Sequence, residues 1–184
     1  MTNYGKLAKD YSEGKINPNV QPVKGARNDA AGISFELAIK KALNAKETFS
    51  HSLEIDVELI DTYLEIKQGS AILWKMDSEG VPIKDSPLLH SDYIIYSFGY
   101  DGTEKSLYDS WVIPVNDFIA ELEKAGMIRY KKSSAMLKKP KEKQYYDCLT
   151  IKDLNRCKAG KRRLAEAFKK YGTFSEYYEL WRQE

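Results

Sequence analysis

Hydrophobic positions along the chain fall first into a helical stripe, then into alternating segments, then into helical stripes again. From Ile33 to Ala45, Phe35, Ala38, Ile39, Ala42 and Leu43 recur at the spacing of one helix face. Ser34 is placed to cap this helix, and Gly32 to break any earlier one. The period then drops to two. Leu53, Ile55, Val57 and Leu59 alternate with Glu54, Asp56 and Glu58, and Tyr63 to Lys67 repeats the alternation after Asp61-Thr62. This pattern predicts two half-buried strands joined by a two-residue turn. Ser70 to Met76 suggests a short helix, and residues 77–90, with Gly80, Pro82 and Pro87, a loop. Asp92 to Gly99 predicts a buried strand, Leu107 to Ile113 a further strand, and Asn116 to Lys124 a helix stopped by Gly126. Residues 128–143 read as extended or loop-like, with Pro140 among them. Gly160 to Lys170 reads as a basic helix closed by Gly172. Thr173-Phe174-Ser175-Glu176 is a capping box opening a last helix through Trp181. The order predicts an α/β (α+β) fold: one mixed β-sheet flanked by helices, with a basic helical C-terminal part. Residues 1–30 form an N-terminal arm in this reading, 31–126 the core, and 127–184 the basic region packed on it.

Composition narrows the setting. With 42% hydrophobic residues in 184 positions, a sizeable core can be buried. No run of about 18 apolar residues occurs, so no membrane span is expected, and Met1 to Lys6 lack the apolar stretch of a signal peptide. Cys148 and Cys157 have no metal-type spacing to His51 or His90, which argues against a disulfide framework or a structural zinc site. A reducing cytoplasm is the expected compartment.

Charge changes the picture more. Between Lys124 and Lys170 stand 16 Lys or Arg against four acids, a net of +12; the whole chain is +2, so the remainder carries −10. A concentrated basic block is the footprint of phosphate contacts, although solvated surface can produce one too. Lys161, Arg162 and Arg163 spread over more than one helix face, so internal acids cannot pair them all. With Lys24 and Arg27, just ahead of the first helix, they are the candidate DNA-binding residues.

The acidic half holds the candidate chemistry. If Asp61-Thr62 is the turn, Leu59 pairs with Leu64, Glu58 with Glu65 and Asp56 with Lys67. Asp56, Glu58, Glu65 and Lys67 then share one face, and Val57, Leu59, Leu64 and Ile66 bury the other. Three carboxylates in one patch repel each other unless a cation joins them. Oxygen ligands from two carboxylates suit Mg²⁺, which lowers the pKa of a bound water and stabilises charge on a scissile phosphate; a nearby lysine can serve that water. The bland alternative is a solvent-facing charged ladder. Glu13-Gly14-Lys15 shares the acid-x-Lys spacing, but its polar, glycine-containing context sets it aside.

Asp56, then Glu65-Ile66-Lys67, preceded by a helix bearing Glu36, resembles the PD-(D/E)XK nuclease superfamily, the restriction-endonuclease-like fold. The likeness covers roughly residues 32–100, and Ile55 stands where the family's proline is often found. The resemblance implies a Mg²⁺-dependent endonuclease acting on DNA, with Asp56, Glu65 and Lys67 catalytic. It further implies Asp56, Glu65, the Ile66 carbonyl and Glu36 around the metal. Glu58, on the same strand face, and His51, just ahead of the acidic strand, are outlying candidates from position alone, and a surface or capping role suits His51 better. A compact nuclease that cuts both strands is expected to work as a homodimer.

Other readings stay open at this point. Within the nuclease class, a restriction enzyme, a junction resolvase and a repair nuclease are not separated. A non-catalytic nucleic-acid-binding protein would use the basic block alone. A protein–protein adaptor would use the two charged halves on different partners. Gly99 to Ser106 ends like a phosphate-binding loop, but Glu104 replaces the required glycine and no following helix is evident.

Overall fold

The computed structural model describes residues 26–45, 56–76, 87–131 and 147–182. Lys24, His51, the start of the first predicted strand and the basic segment 132–146 lie outside the described residues.

Helix α1 spans Ala26–Ala42, starting seven residues before Ile33, where Gly32 and Ser34 suggested its start. A single glycine costs a helix only about 1 kcal/mol relative to alanine, so it need not end one. The helix stops at Asn44, which takes a left-handed conformation (φ 53°) while the Ala45 N–H donates to the Lys40 carbonyl at 2.8 Å. Both features belong to a Schellman-type terminus.

Strands β1 (Val57–Glu58) and β2 (Tyr63–Gln68) form the expected antiparallel hairpin. The turn sits one residue earlier than predicted, at Ile60-Asp61, with Leu59 N–H donating to the Thr62 carbonyl at 2.9 Å. Val57 therefore faces Leu64 and Glu58 faces Tyr63. This two-residue slip leaves every side chain on the face it was assigned.

Residues 70–76 are not a helix. They contain strand β3 (Ile72–Met76), whose partner β7 (Asp147–Ile151) lies some seventy residues further on. Helix α2 (Pro87–His90) ends the stretch expected to be loop, and β4 (Tyr93–Ser97) follows as the expected buried strand. The expected strand from Leu107 to Ile113 is also corrected. Helix α3 (Glu104–Tyr108) occupies its first part, capped by the Thr103 side chain, which accepts from Ser106 N–H, and β5 is Trp111–Pro114. A short helix thus does follow the loop at Gly99. Helix α4 (Val115–Lys124), strand β6 (Ile128–Lys131), helix α5 (Lys158–Phe168) and helix α6 (Phe174–Trp181) complete the described chain. The predicted capping box at Thr173 and Glu176 is present.

The fold is mixed α/β. Its four-stranded sheet has the order β1-β2-β4-β5, with β2 and β4 parallel and the outer pairs antiparallel. A second, antiparallel sheet has the order β3-β7-β6. Strand alternation splits the four-stranded sheet between two cores. Leu64, Ile66, Ile95 and Val112 pack with Phe35 and Ile39 of α1 and Phe174 and Trp181 of α6. Ile94, Tyr96 and Ile113 pack with Phe118 and Leu122 of α4, Leu164 and Phe168 of α5, and Leu73 and Ile151 of the second sheet. The chain leaves one sheet for the other at Gly69, whose φ of +61° favours a residue without a Cβ. Gly69 is held from both sides: its N–H donates to the Ser97 carbonyl, and the Tyr96 hydroxyl donates to its carbonyl, each at 2.8 Å. That anchor fixes the end of β2 immediately after Lys67 and Gln68. Among the described residues, no helix is long and apolar enough to cross a membrane.

Candidate active site

The site grows from the β1 edge of the four-stranded sheet. Among the described residues, strand β1 pairs only two residues of β2, and no strand neighbours β2 beyond Leu64 on that side. The Ile66 N–H on this edge donates instead to the Asp56 carboxylate, Oδ2, at 2.7 Å. A strand residue's N–H and carbonyl project to the same side, so the Ile66 carbonyl also faces the Asp56 edge. Glu65 and Lys67 flank Ile66 and project to the sheet face opposite Leu64 and Ile66. The slipped register brings Asp56 across from Glu65 rather than from Lys67.

Glu65 is 3% exposed. Its Oε1 accepts from the Lys67 ammonium, while its Oε2 is buried and has no hydrogen-bond partner among the described residues. Lys67 Nζ also lies 4.0 Å from Asp56 Oδ2. Glu36, on α1, adds a third carboxylate, which the charges of Asp56 and Lys67 both reach. Its Oε1 accepts from Lys40 Nζ at 2.6 Å. The structure thus brings Glu36, Asp56, Glu65 and Lys67 together. Glu58 is exposed and faces Tyr63, which corrects its expected place in the patch. The buried Lys40 is the addition that sequence reasoning missed; the only signal was its four-residue spacing from Glu36.

Burial is the main force acting on the site's ionisation. It pushes the Glu65 carboxyl up to about 7; the Lys67 charge opposes the rise, and Asp56 and Glu36 add to it. Burial, then the Asp56 charge, also raises Glu36, with Lys40 pulling back. For Lys67, burial alone would lower the pKa, but Glu65 and Asp56 outweigh it and hold the group above its ordinary value. Lys67 is therefore an ammonium at neutral pH, a donor of charge and hydrogen bonds rather than a base.

A stability consequence follows from Glu65. Its folded pKa lies above its unfolded one, so between pH 4.5 and about 7 the folded state binds the extra proton. Stability conferred by that proton is present below 4.5 and lost as pH rises through 7, on the order of 3 kcal/mol. Chemical denaturation in chelator across this range is expected to show the decline; a flat profile would contradict the burial of Glu65.

The donors available here are all oxygen: two carboxylates and the edge-facing Ile66 carbonyl. That chemistry suits a hard cation such as Mg²⁺, and the orphaned Glu65 Oε2 is a buried acceptor for which a cation would supply a partner. Among the described residues, no three His, Cys, Asp or Glu side chains are grouped so as to hold a metal by themselves. A cation here would depend on the carbonyl and on water beside the two carboxylates.

The candidate DNA-binding residues sit apart on α5. Arg162 and Arg163 are exposed, and Arg163 Nη2 donates to the Ala125 carbonyl at the end of α4, at 2.8 Å. Lys161 is half-buried, with its ammonium 5.2 Å from the centre of the Phe98 ring. Lys170 pairs with Glu121 at 2.6 Å. Part of the basic block is therefore engaged within the fold. Arg27 belongs to the first turn of α1. No family model, curated protein or solved structure matches this chain.

Proposed function

We propose that this chain is a Mg²⁺-dependent DNA endonuclease with a restriction-endonuclease-like core, hydrolysing phosphodiester bonds at the Asp56–Glu65–Lys67 cluster. The observation that carries the reading is the Ile66 N–H bond to Asp56. It ties the acid upstream of the hairpin to the strand bearing Glu65-Ile66-Lys67, and so joins the parts of the motif in space. A solvent-facing charged ladder would not place Glu65 at 3% exposure with an unpartnered oxygen.

In this reading Asp56, Glu65 and the Ile66 carbonyl hold the cation, with Glu36 at the rim. A bound Mg²⁺ supplies a water of lowered pKa and a positive centre for the charge that develops on phosphate. Lys67, kept protonated by its two acidic neighbours, orients the attacking water and donates to the phosphate. Basic residues between 124 and 170 hold the flanking phosphates, and a symmetric pair of chains would present one such site to each strand of a duplex.

The contacts on α5 refine which cations should matter. Arg162 is exposed, whereas Lys161 and Arg163 have intramolecular partners. Arg162→Ala is expected to reduce the slope of log affinity against log salt by about 0.9, the effect of one phosphate contact on B-form DNA. Equilibrium binding of a short duplex in chelator, at several salt concentrations, checks this. An unchanged slope would move the contact off α5.

The function itself is tested by incubating the protein with DNA in Mg²⁺ and in chelator. Cleavage only in Mg²⁺ is the expected result. Salt-sensitive binding without cleavage would return the chain to the non-catalytic nucleic-acid-binding reading.

A further inference from the structure

The end of strand β4 carries an open pocket of about 350 Å³ that the carboxylate cluster does not use. Pockets that hold small ligands begin at about 300 Å³. Ser97, Phe98 and Trp111 form its inner wall, and the exposed Asp101, Lys105 and Asp109 stand at its mouth. The Phe98 and Trp111 rings are only partly buried. They meet at 71° with centroids 5.0 Å apart, and so make an aromatic corner. The fully buried Phe168 ring backs both, 6.2 Å from Phe98 and 5.4 Å from Trp111. The corner is thus held in place before any ligand enters it.

Shape and charge select the occupant. A flat aromatic group can stack on one ring of such a corner and turn its edge to the other. A phosphate does not suit the pocket, because the Asp101 and Asp109 carboxylates at the mouth repel it. The loop from Gly99 to Ser106 therefore does not cradle phosphate, despite its spacing. Carboxylates do accept from the exocyclic amino groups of nucleobases. Cations lie just outside: the Lys161 ammonium is 5.2 Å from the centre of the Phe98 ring, and Arg162 beside it on α5 is exposed. Aromatic platforms flanked by basic side chains are what single-stranded nucleic acid binds. A base within a duplex is stacked on both sides, so only an unpaired or extruded base can enter.

The pocket also adjoins the cluster. In the sheet register Lys67 faces Tyr96 and Gln68 faces Ser97, and the Phe98 ring meets the Tyr96 ring edge-on at 5.7 Å. Neighbouring strands lie about 4.8 Å apart. The inner wall therefore begins one strand spacing and one residue from the backbone of Lys67.

We propose that this pocket is a base-binding site, in which Phe98 and Trp111 stack one unpaired nucleobase of the substrate strand. The proposal rests on the nuclease reading above and sharpens its substrate to DNA that offers unpaired or extruded bases.

The test is equilibrium binding to end-labelled strands in chelator, where no strand is cut, read by fluorescence anisotropy. The unaltered chain is titrated against a short single strand of deoxyadenylate and a strand of the same length made only of abasic residues. The phosphates are then alike and only the bases differ. The strand with bases is expected to bind about tenfold more tightly. That preference is expected to vanish in Phe98→Leu, which keeps apolar bulk but has no stacking face, and in Gly99→Leu. Gly99 lines the pocket, its φ is not positive, and an added Cβ meets nothing within 4 Å. Leucine there adds bulk at the pocket wall without a backbone clash. A thermal melt of each variant establishes folding; should Phe98→Leu not fold, Gly99→Leu and the abasic comparison decide. Equal affinity of the unaltered chain for the two strands, or an undiminished preference in folded Gly99→Leu, would overturn the site and leave the proposed function standing. Competition by dAMP at the affinity of the strand itself would also overturn it, by making the pocket a site for free nucleotide. Absence of binding to either strand and to duplex DNA would overturn both the site and the proposed function.

Discussion

Replacing Lys67 with alanine should lower the rate of Mg²⁺-dependent DNA cleavage by about 10²–10³-fold, the usual cost of removing one donor aimed at developing charge. Two contacts make this position the most sensitive. The ammonium is bonded to Glu65 and lies 4.0 Å from Asp56, so its charge stands where water, phosphate and cation would meet. Duplex affinity in chelator should change little, because the site's carboxylates already absorb that charge. Single-turnover cleavage alongside equilibrium binding separates the two effects. A variant that cuts at the wild-type rate would remove Lys67 from the chemistry. One that loses binding and cleavage in equal measure would make it a phosphate contact.

Asp56→Asn and Glu65→Gln should each abolish detectable divalent-cation binding in calorimetry and lower cleavage by on the order of 10²-fold or more. Both changes conserve shape. An asparagine oxygen can still accept from Ile66 N–H, so Asp56→Asn removes charge without freeing the strand edge. Glu65→Gln carries a second signature. It mimics the protonated carboxyl, so it should remove the loss of stability between pH 4.5 and about 7 expected for the unaltered chain. Above pH 7, in chelator, it should be the more stable protein by about 3 kcal/mol. Loss of activity together with gain of stability is the mark of a site that holds strain for function. A Glu65→Gln variant that is both inactive and less stable would make Glu65 a structural anchor instead.

Much of this arrangement was legible in the sequence because it rests on local pattern. Alternation identified β2, the buried stretch from Asp92 to Gly99 marked β4, three-and-four spacing identified the body of α1, and the Thr173–Glu176 box marked the start of α6. What failed depended on distant partners. Ser70 to Met76 is a strand because β7 pairs with it, and no local pattern reveals a partner so far along the chain. The hairpin register slipped by two because a two-residue shift preserves the apolar alternation. That same invariance is why the clustering of Asp56, Glu65 and Lys67 survived the error, whereas Glu58 moved to an exposed position facing Tyr63. Lys40 belonged to the polar side of a helical stripe and gave no sign of burial, since burial depends on what the helix packs against. The basic block was visible as composition, but composition could not show that Arg163 bonds a helix end or that Lys170 pairs with Glu121.

The most direct test of the central claim uses three DNA substrates: linear duplex, supercoiled plasmid and a four-way junction. Each is incubated with the unaltered chain in Mg²⁺, the unaltered chain in chelator, and Lys67→Ala prepared identically. The expected result is cleavage of at least one substrate by the unaltered chain in Mg²⁺ only, with cleavage by Lys67→Ala lowered about 10²–10³-fold. Intact DNA in every Mg²⁺ reaction, or equal cleavage by Lys67→Ala, would contradict the assignment of nuclease chemistry to this cluster.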